Sequence, residues 1–68
     1  MSTTVEPMWV EIDARQSDET TITWEFDLVS GWHRVRFTDT HGVDTFSDDL
    51  SATDARERYE HPFAGWSR

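Results

Sequence analysis

The 68-residue chain contains no cysteine, no lysine and no asparagine, and it has only two prolines and three glycines. Without cysteine it can form neither a disulfide framework nor a thiolate site for zinc or an iron–sulfur cluster. Without asparagine it has no N-glycosylation sequon. It has no run of about 20 apolar residues, as a transmembrane helix needs, and its first seven residues lack the pattern of a signal peptide. We therefore expect a cytoplasmic protein.

The small size sets the domain organisation. A chain of 8.0 kDa has room for one domain, and such a domain buries only about 60% of the surface that its unfolded chain exposes. Four Trp, four Phe and one Tyr must carry much of the core, because each buried aromatic ring removes a large apolar area from water. We predict a disordered lead-in over residues 1–7, which ends at Pro7, and a single domain over residues 8–68.

Negative charge dominates the composition: fourteen Asp and Glu against six Arg give a net charge of −8. This charge repels phosphate backbones and anionic lipid. One explanation is adaptation of a whole proteome, as in a halophile, where acidity serves solubility. The other is that the carboxylates imitate nucleic acid or meet a basic protein. Seven acids and a single arginine lie in residues 1–30, so this half is the acidic pole.

Alternating apolar and polar residues predict four strands. In the first strand Met8, Val10, Ile12 and Ala14 share one face, and the polar residues 15–20 form its connection. The second strand runs from Ile22 to Leu28, the third covers residues 32–38, and a short fourth strand covers residues 43–46.

The turns between these strands predict how they pair. A two-residue loop at Ser30-Gly31 would pair Asp27 with Arg34 and Glu25 with Arg36, with all charged pairs on one face. Residues 39–42 suit a type I turn that leaves through a left-handed glycine. The fourth strand then returns Phe46 to the apolar face of the third strand.

Residues 51–60 predict one helix. Ser51 can cap its N-terminus, Asp54 at the third helical position can accept a hydrogen bond in return from the Ser51 N–H, and Pro62 ends the helix. We expect Phe63 or Trp66 to fold back onto the core. The predicted fold class is α+β: an antiparallel three- to four-stranded meander packed against one C-terminal helix.

The stretch from Gly31 to Gly42, with Thr45-Phe46 and residues 51–55, resembles the three-stranded-sheet-plus-helix modules at the N-termini of tyrosine recombinases, their arm-binding domains. It is also similar to YegP-like small domains. The resemblance covers about half of the chain. In the recombinase modules, basic residues of the open sheet face enter DNA, which implies such a role for Arg34 and Arg36. The likeness to YegP-like domains implies no defined activity.

No residue pattern indicates catalysis or a cofactor. His33, His41 and His61 lack the short paired spacing of metal ligands. We interpret the acids at positions 44, 48, 49 and 54 as charge near the helix N-terminus, since no EF-hand pattern surrounds them. There is no Gly-x-Ser-x-Gly elbow and no phosphate-binding glycine loop, and a chain this small rarely forms a pocket of several hundred Å³. We predict a non-enzyme with neither a metal nor a cofactor.

The sheet face away from the helix is therefore the predicted site. Trp and Arg ringed by polar residues are typical of protein interfaces, and the alternative is that both Trp rings merely cover strand edges. We predict an interaction module that binds a protein, either a basic partner or a second copy that associates through this face or through an edge strand. The alternatives are a DNA mimic that inhibits a nucleic-acid-binding protein, and weak binding of nucleic acid through the sheet face. The predicted partner-binding residues are Trp9, Glu25, Asp27, Trp32, Arg34 and Arg36, and the face also carries Glu11 and Thr23.

Overall fold

The computed structural model describes residues 6–63 and contains a four-stranded antiparallel sheet and one helix. The sheet order is β1-β2-β3-β4, so each strand pairs with the next one along the chain. This arrangement confirms the predicted α+β meander, including the fourth strand. Residues 1–5 of the predicted lead-in lie outside the described residues, and so does Trp66. The elements are β1 Trp9–Ser17, β2 Thr20–Asp27, β3 His33–Thr38, β4 Asp44–Phe46 and α1 Ala52–Glu60.

The core lies between α1 and the two central strands. Ile22 of β2 and Val35 of β3 are fully buried, and Tyr59 of α1 packs against them. Trp24, Phe37 and Phe63 close the cluster from its edges. Full burial of an aliphatic side chain contributes about 1.5–3 kcal/mol. The position of Phe63 against this cluster confirms that the chain folds back onto the core after α1.

Helix α1 begins as its sequence predicts. The Ser51 Oγ accepts a hydrogen bond of 3.1 Å from the backbone N–H of Asp54, which satisfies one of the free donors of the first turn. At the other end the His61 N–H donates to the Glu57 carbonyl at 2.9 Å, and Pro62 follows.

The predicted pairing of β2 with β3 is wrong by two residues. Glu25 pairs with Arg34 and Thr23 with Arg36, because the connecting loop has four residues, 28–31, instead of two. The Gly31 N–H donates to the Asp27 carbonyl at 2.9 Å, and Gly31 adopts a φ of +81°, which glycine tolerates best. A shift of two residues leaves every side chain on its predicted face.

The first strand also differs from its prediction. β1 continues to Ser17, and only Asp18 and Glu19 connect it to β2, both at positive φ. A β-bulge between Glu11 and Asp13 shifts the pairing with β2. Because a bulge adds one residue to one strand, it reverses the faces of the residues that follow. Ala14 therefore lies on the face opposite Val10, contrary to the prediction, and Arg15 turns towards α1.

The predicted position of Phe46 is wrong as well. Thr45 pairs with Phe37, whereas Phe46 pairs with Arg36 and so lies on the face away from α1. The cause is a three-residue loop, residues 40–42, which the Asp39 N–H closes by donating to the Val43 carbonyl at 3.1 Å. Gly42 has the left-handed φ of +80° that was expected.

Candidate protein interface on the open sheet face

The sheet side opposite α1, here called the open face, holds the predicted site residues. Cross-strand pairs share a face, and the pairs Trp9 with Asp27, Glu25 with Arg34, and Thr23 with Arg36 place all six side chains there. Trp32 comes just before β3, and its carbonyl accepts a hydrogen bond of 2.9 Å from the Asp27 N–H. The register therefore brings together the residues that the alternation selected.

Arg34 lies between two aromatic rings at the centre of this face. Its guanidinium carbon is 4.0 Å from the ring centroid of Trp9 and 4.1 Å from that of Phe46. Its Nε donates to the Glu25 Oε1 at 2.7 Å. We call Trp9, Arg34 and Phe46 the Arg34 stack. Each cation–π contact contributes about 0.5–2 kcal/mol, depending on how far it is removed from water.

Glu25 is a buried carboxylate, 5% exposed, held between two arginines. Arg34 contacts its Oε1, and the Arg36 Nη1 lies 3.5 Å from its Oε2. A buried carboxylate without a cation is strongly disfavoured, so the two arginines offset the cost of burying Glu25 in this face. Within residues 6–63 the buried Nε of Arg36 has no hydrogen-bond partner.

Asp27 shapes the loop that carries Trp32. Its carboxylate accepts hydrogen bonds from the Met8 N–H at 2.8 Å, the Val29 N–H at 3.0 Å and the Ser30 Oγ at 2.7 Å. Burial by itself raises the pKa of this carboxyl, but the hydrogen bonds from Ser30, Val29 and Met8 outweigh it and hold the pKa below its ordinary value. The Asp27 side chain is thus buried at the loop base, and its oxygens are engaged within the fold.

The accessible part of the site is aromatic and apolar. Trp32 is 49% exposed and Phe46 is 46% exposed, and Leu28 and Val29 of the adjoining loop are exposed as well. Phe46 is the residue that sequence reasoning missed, because the loop length that decides its face could not be inferred from alternation alone.

A groove of about 350 Å³ lies near the β3–β4 hairpin, although chains of this size rarely form one. The described residues that line it include no histidine, and the Ser47 Oγ donates to the Asp48 carbonyl, not to a general base. Among the described residues, no three His, Asp or Glu side chains gather as metal ligands would. The lining residues are Thr20, Phe37, Asp39, Val43, Thr45, Phe46, Ser47, Arg58 and Phe63.

Over residues 6–63, no helix has the length and apolar character needed to cross a membrane. Comparison with known proteins gave no match to a family model, to a curated protein or to a solved structure. The resemblance to recombinase arm-binding and YegP-like modules therefore stays a prediction.

Proposed function

We propose that this chain is a non-enzymatic, cytoplasmic protein-interaction module that binds its partner through the open face. Trp32 and the Arg34 stack are its anchors. The observation that carries the proposal is the geometry of Arg34, which two rings and Glu25 hold in one orientation. Tryptophan and arginine dominate the binding energy of protein interfaces, and an anchor that is already ordered loses little conformational entropy on binding.

The same geometry disfavours binding of nucleic acid. Phosphate binding needs arginines with free donors and an attractive surface potential. Both Arg34 and Arg36 contact Glu25, the two rings cover the faces of the Arg34 guanidinium, and the chain carries a net charge of −8. That charge would attract a basic partner and speed its encounter with the module.

A DNA mimic is the weaker alternative. A mimic presents rows of free carboxylates at the spacing of phosphates, whereas the open face neutralises its central carboxylate with two arginines. The net charge of −8 favours a basic partner.

The test compares Trp32→Ala with the matched control Val43→Ala, since Val43 is also an exposed apolar residue but lies outside the open face. Wild-type protein captures partners from cells that express it, and each captured protein is purified and titrated calorimetrically against the three forms. We expect Trp32→Ala to stay folded by circular dichroism and to bind about 30-fold more weakly, as loss of a hot-spot residue does. We expect Val43→Ala to bind like the wild type.

Light scattering at low and at molar salt tests a second copy as the partner. A dimer that Trp32→Ala dissociates assigns the open face to self-association. The proposal fails if Trp32→Ala unfolds the chain, because Trp32 then serves stability, or if partner binding and dimerisation are both unaffected by the substitution.

A further inference from the structure

The outer edge of β1 is a second surface suited to a partner. Within residues 6–63, β1 has nine residues and pairs only with β2, whereas the opposite edge strand, β4, has three. The Leu28 N–H donates to the Met8 carbonyl, so Met8 is a hydrogen-bonded position of the ladder. In an antiparallel pair these positions alternate with outward-facing ones, and the N–H and C=O groups of Trp9 and Glu11 therefore point away from β2.

Apolar side chains on this edge are left uncovered. Helix α1 packs over β2 and β3, and it contacts β1 beyond the bulge, at Asp13 and Arg15. Val10 is 36% exposed, Ile12 is 47% exposed and Met8, next to the strand, is 57% exposed. A long edge strand with free backbone groups and exposed apolar residues is a template for pairing with another strand.

The charges on β1 indicate which strand would fit. Glu11 is exposed and forms no ion pair within residues 6–63, whereas Asp13 lies on the opposite face and hydrogen-bonds the Tyr59 phenol. The only cation of the strand, Arg15, lies on the face of α1, where its guanidinium donates to helix carbonyls. The turn at the end of the strand adds Asp18 and Glu19. The edge is therefore apolar and acidic.

We propose that the β1 edge binds an extended segment of another protein in which basic and apolar residues alternate. The segment adds a fifth strand to the sheet, and its backbone pairs with the outward groups of Trp9 and Glu11. Its apolar side chains cover Val10 on one face, and its cations meet Glu11 on the other face. Main-chain hydrogen bonds supply the affinity in this mode, and side chains supply the specificity.

A second copy of β1 fits this edge poorly. Antiparallel pairing of two copies about Glu11, whose backbone groups point outward, would set the Glu11 side chains of the two chains opposite each other. Like charges directly opposite one another destabilise a strand pair, and both molecules carry a net charge of −8.

The probe is the peptide acetyl-Lys-Val-Arg-Val-Lys-Val-Arg-amide, titrated into 15N-labelled protein. We expect shifts along β1 and slower amide exchange at Trp9 and Glu11. Val10→Lys/Ile12→Lys places two cations on the edge and should weaken binding about tenfold or more, since it adds like-charge repulsion and removes the apolar contact. Val29→Lys/Val43→Lys is the matched control: it adds the same charge at two exposed apolar positions away from the edge and should bind clearly more tightly than the first variant.

The control peptide replaces each basic residue with glutamate and should not bind. The proposal is overturned if both double variants weaken binding equally, which would show general charge attraction, or if the acidic peptide binds as well. It is also overturned if amide exchange at Trp9 and Glu11 is unchanged, or if β1 pairs with a second copy instead. Trp32→Ala should leave peptide binding intact, so this outcome is separate from the fate of the open-face proposal.

Discussion

The Arg15 guanidinium and the Tyr59 carbonyl oxygen, 44 residues apart in the chain, are joined by a hydrogen bond of 2.7 Å from Nη2. The same nitrogen donates to the Glu60 carbonyl at 3.0 Å, and the guanidinium carbon lies 5.3 Å from the Tyr59 ring centroid. The last carbonyls of a helix have no partners within the helix, and a cation there also suits the helix dipole. Arg15 of the edge strand β1 therefore caps the C-terminal end of α1.

Arg15→Ala should lower the free energy of unfolding by about 1 kcal/mol, because it removes two charge-assisted hydrogen bonds from partly exposed carbonyls. Urea denaturation followed by circular dichroism measures the change. Arg56→Ala is the control: it breaks only the exposed pair with Glu60 within α1, which contributes about 0.3–0.5 kcal/mol. Equal losses for the two variants would contradict the capping role.

The fold could be predicted because its strands alternate cleanly and its helix carries a cap, a stop and an apolar stripe. The loops were the weak point. Asp27 defines a four-residue loop by collecting donors from Met8, Val29 and Ser30, a device that depends on side-chain geometry and not on periodicity. The bulge in β1 likewise has no signal in the sequence, since nothing in Glu11-Ile12-Asp13 breaks the alternation.

The site shows how these errors matter. The misplaced register of two residues left Glu25, Asp27, Arg34 and Arg36 on the predicted face, because strands repeat every two residues. The partners changed, however: Glu25 now serves both arginines. Phe46 was assigned to the wrong face, so the second ring of the Arg34 stack could not be foreseen.

Glu25→Gln should destabilise the fold by about 2 kcal/mol, since it leaves Arg34 and Arg36 without their counterion in a largely buried setting. The chemical denaturation midpoint at neutral pH reports the loss. Glu11→Gln is the matched control, because Glu11 pairs with Glu25 across β1 and β2 yet is exposed, and it should change stability by less than about 0.5 kcal/mol. If Glu25→Gln is as mild as Glu11→Gln, the pairing with the arginines contributes little.

Tyr59 should ionise only above the ordinary pKa of a tyrosine. Burial is the main cause of the raised pKa, and the charge of Asp13 together with its hydrogen bond to the phenol adds to it. Because this is the only tyrosine of the chain, the ultraviolet absorbance of the phenolate follows its ionisation directly. The reference for the titration is the ordinary tyrosine pKa near 10. Asp13→Asn should lower the titration midpoint more than Glu11→Gln does.

The same shift predicts how stability depends on alkaline pH. The pKa of Tyr59 is raised in the folded state. The stabilisation that the protonated phenol contributes is therefore complete below the ordinary tyrosine pKa of 10.0, and it is lost as the pH rises through the pKa of the folded protein. The free energy of unfolding of the wild type should therefore fall more steeply above pH 10 than that of Tyr59→Phe. Parallel curves for the two proteins would contradict this linkage.

Glu19→Gly should stabilise the chain by about 0.5–1 kcal/mol, although it touches no contact of the core. Asp18 and Glu19 adopt φ values of +49° and +66°, as a type I′ hairpin turn requires, and glycine is the residue that this turn favours at its second position. The same substitution at Glu57, on the exposed surface of α1, should cost about 1 kcal/mol, because glycine weakens a helix interior. Thermal unfolding of the two variants measures both effects. If stability rises for Glu19→Gly and falls for Glu57→Gly, the backbone conformation at Glu19 decides the result, and not the loss of a carboxylate from an acidic chain. A loss of stability in both variants would contradict the left-handed turn.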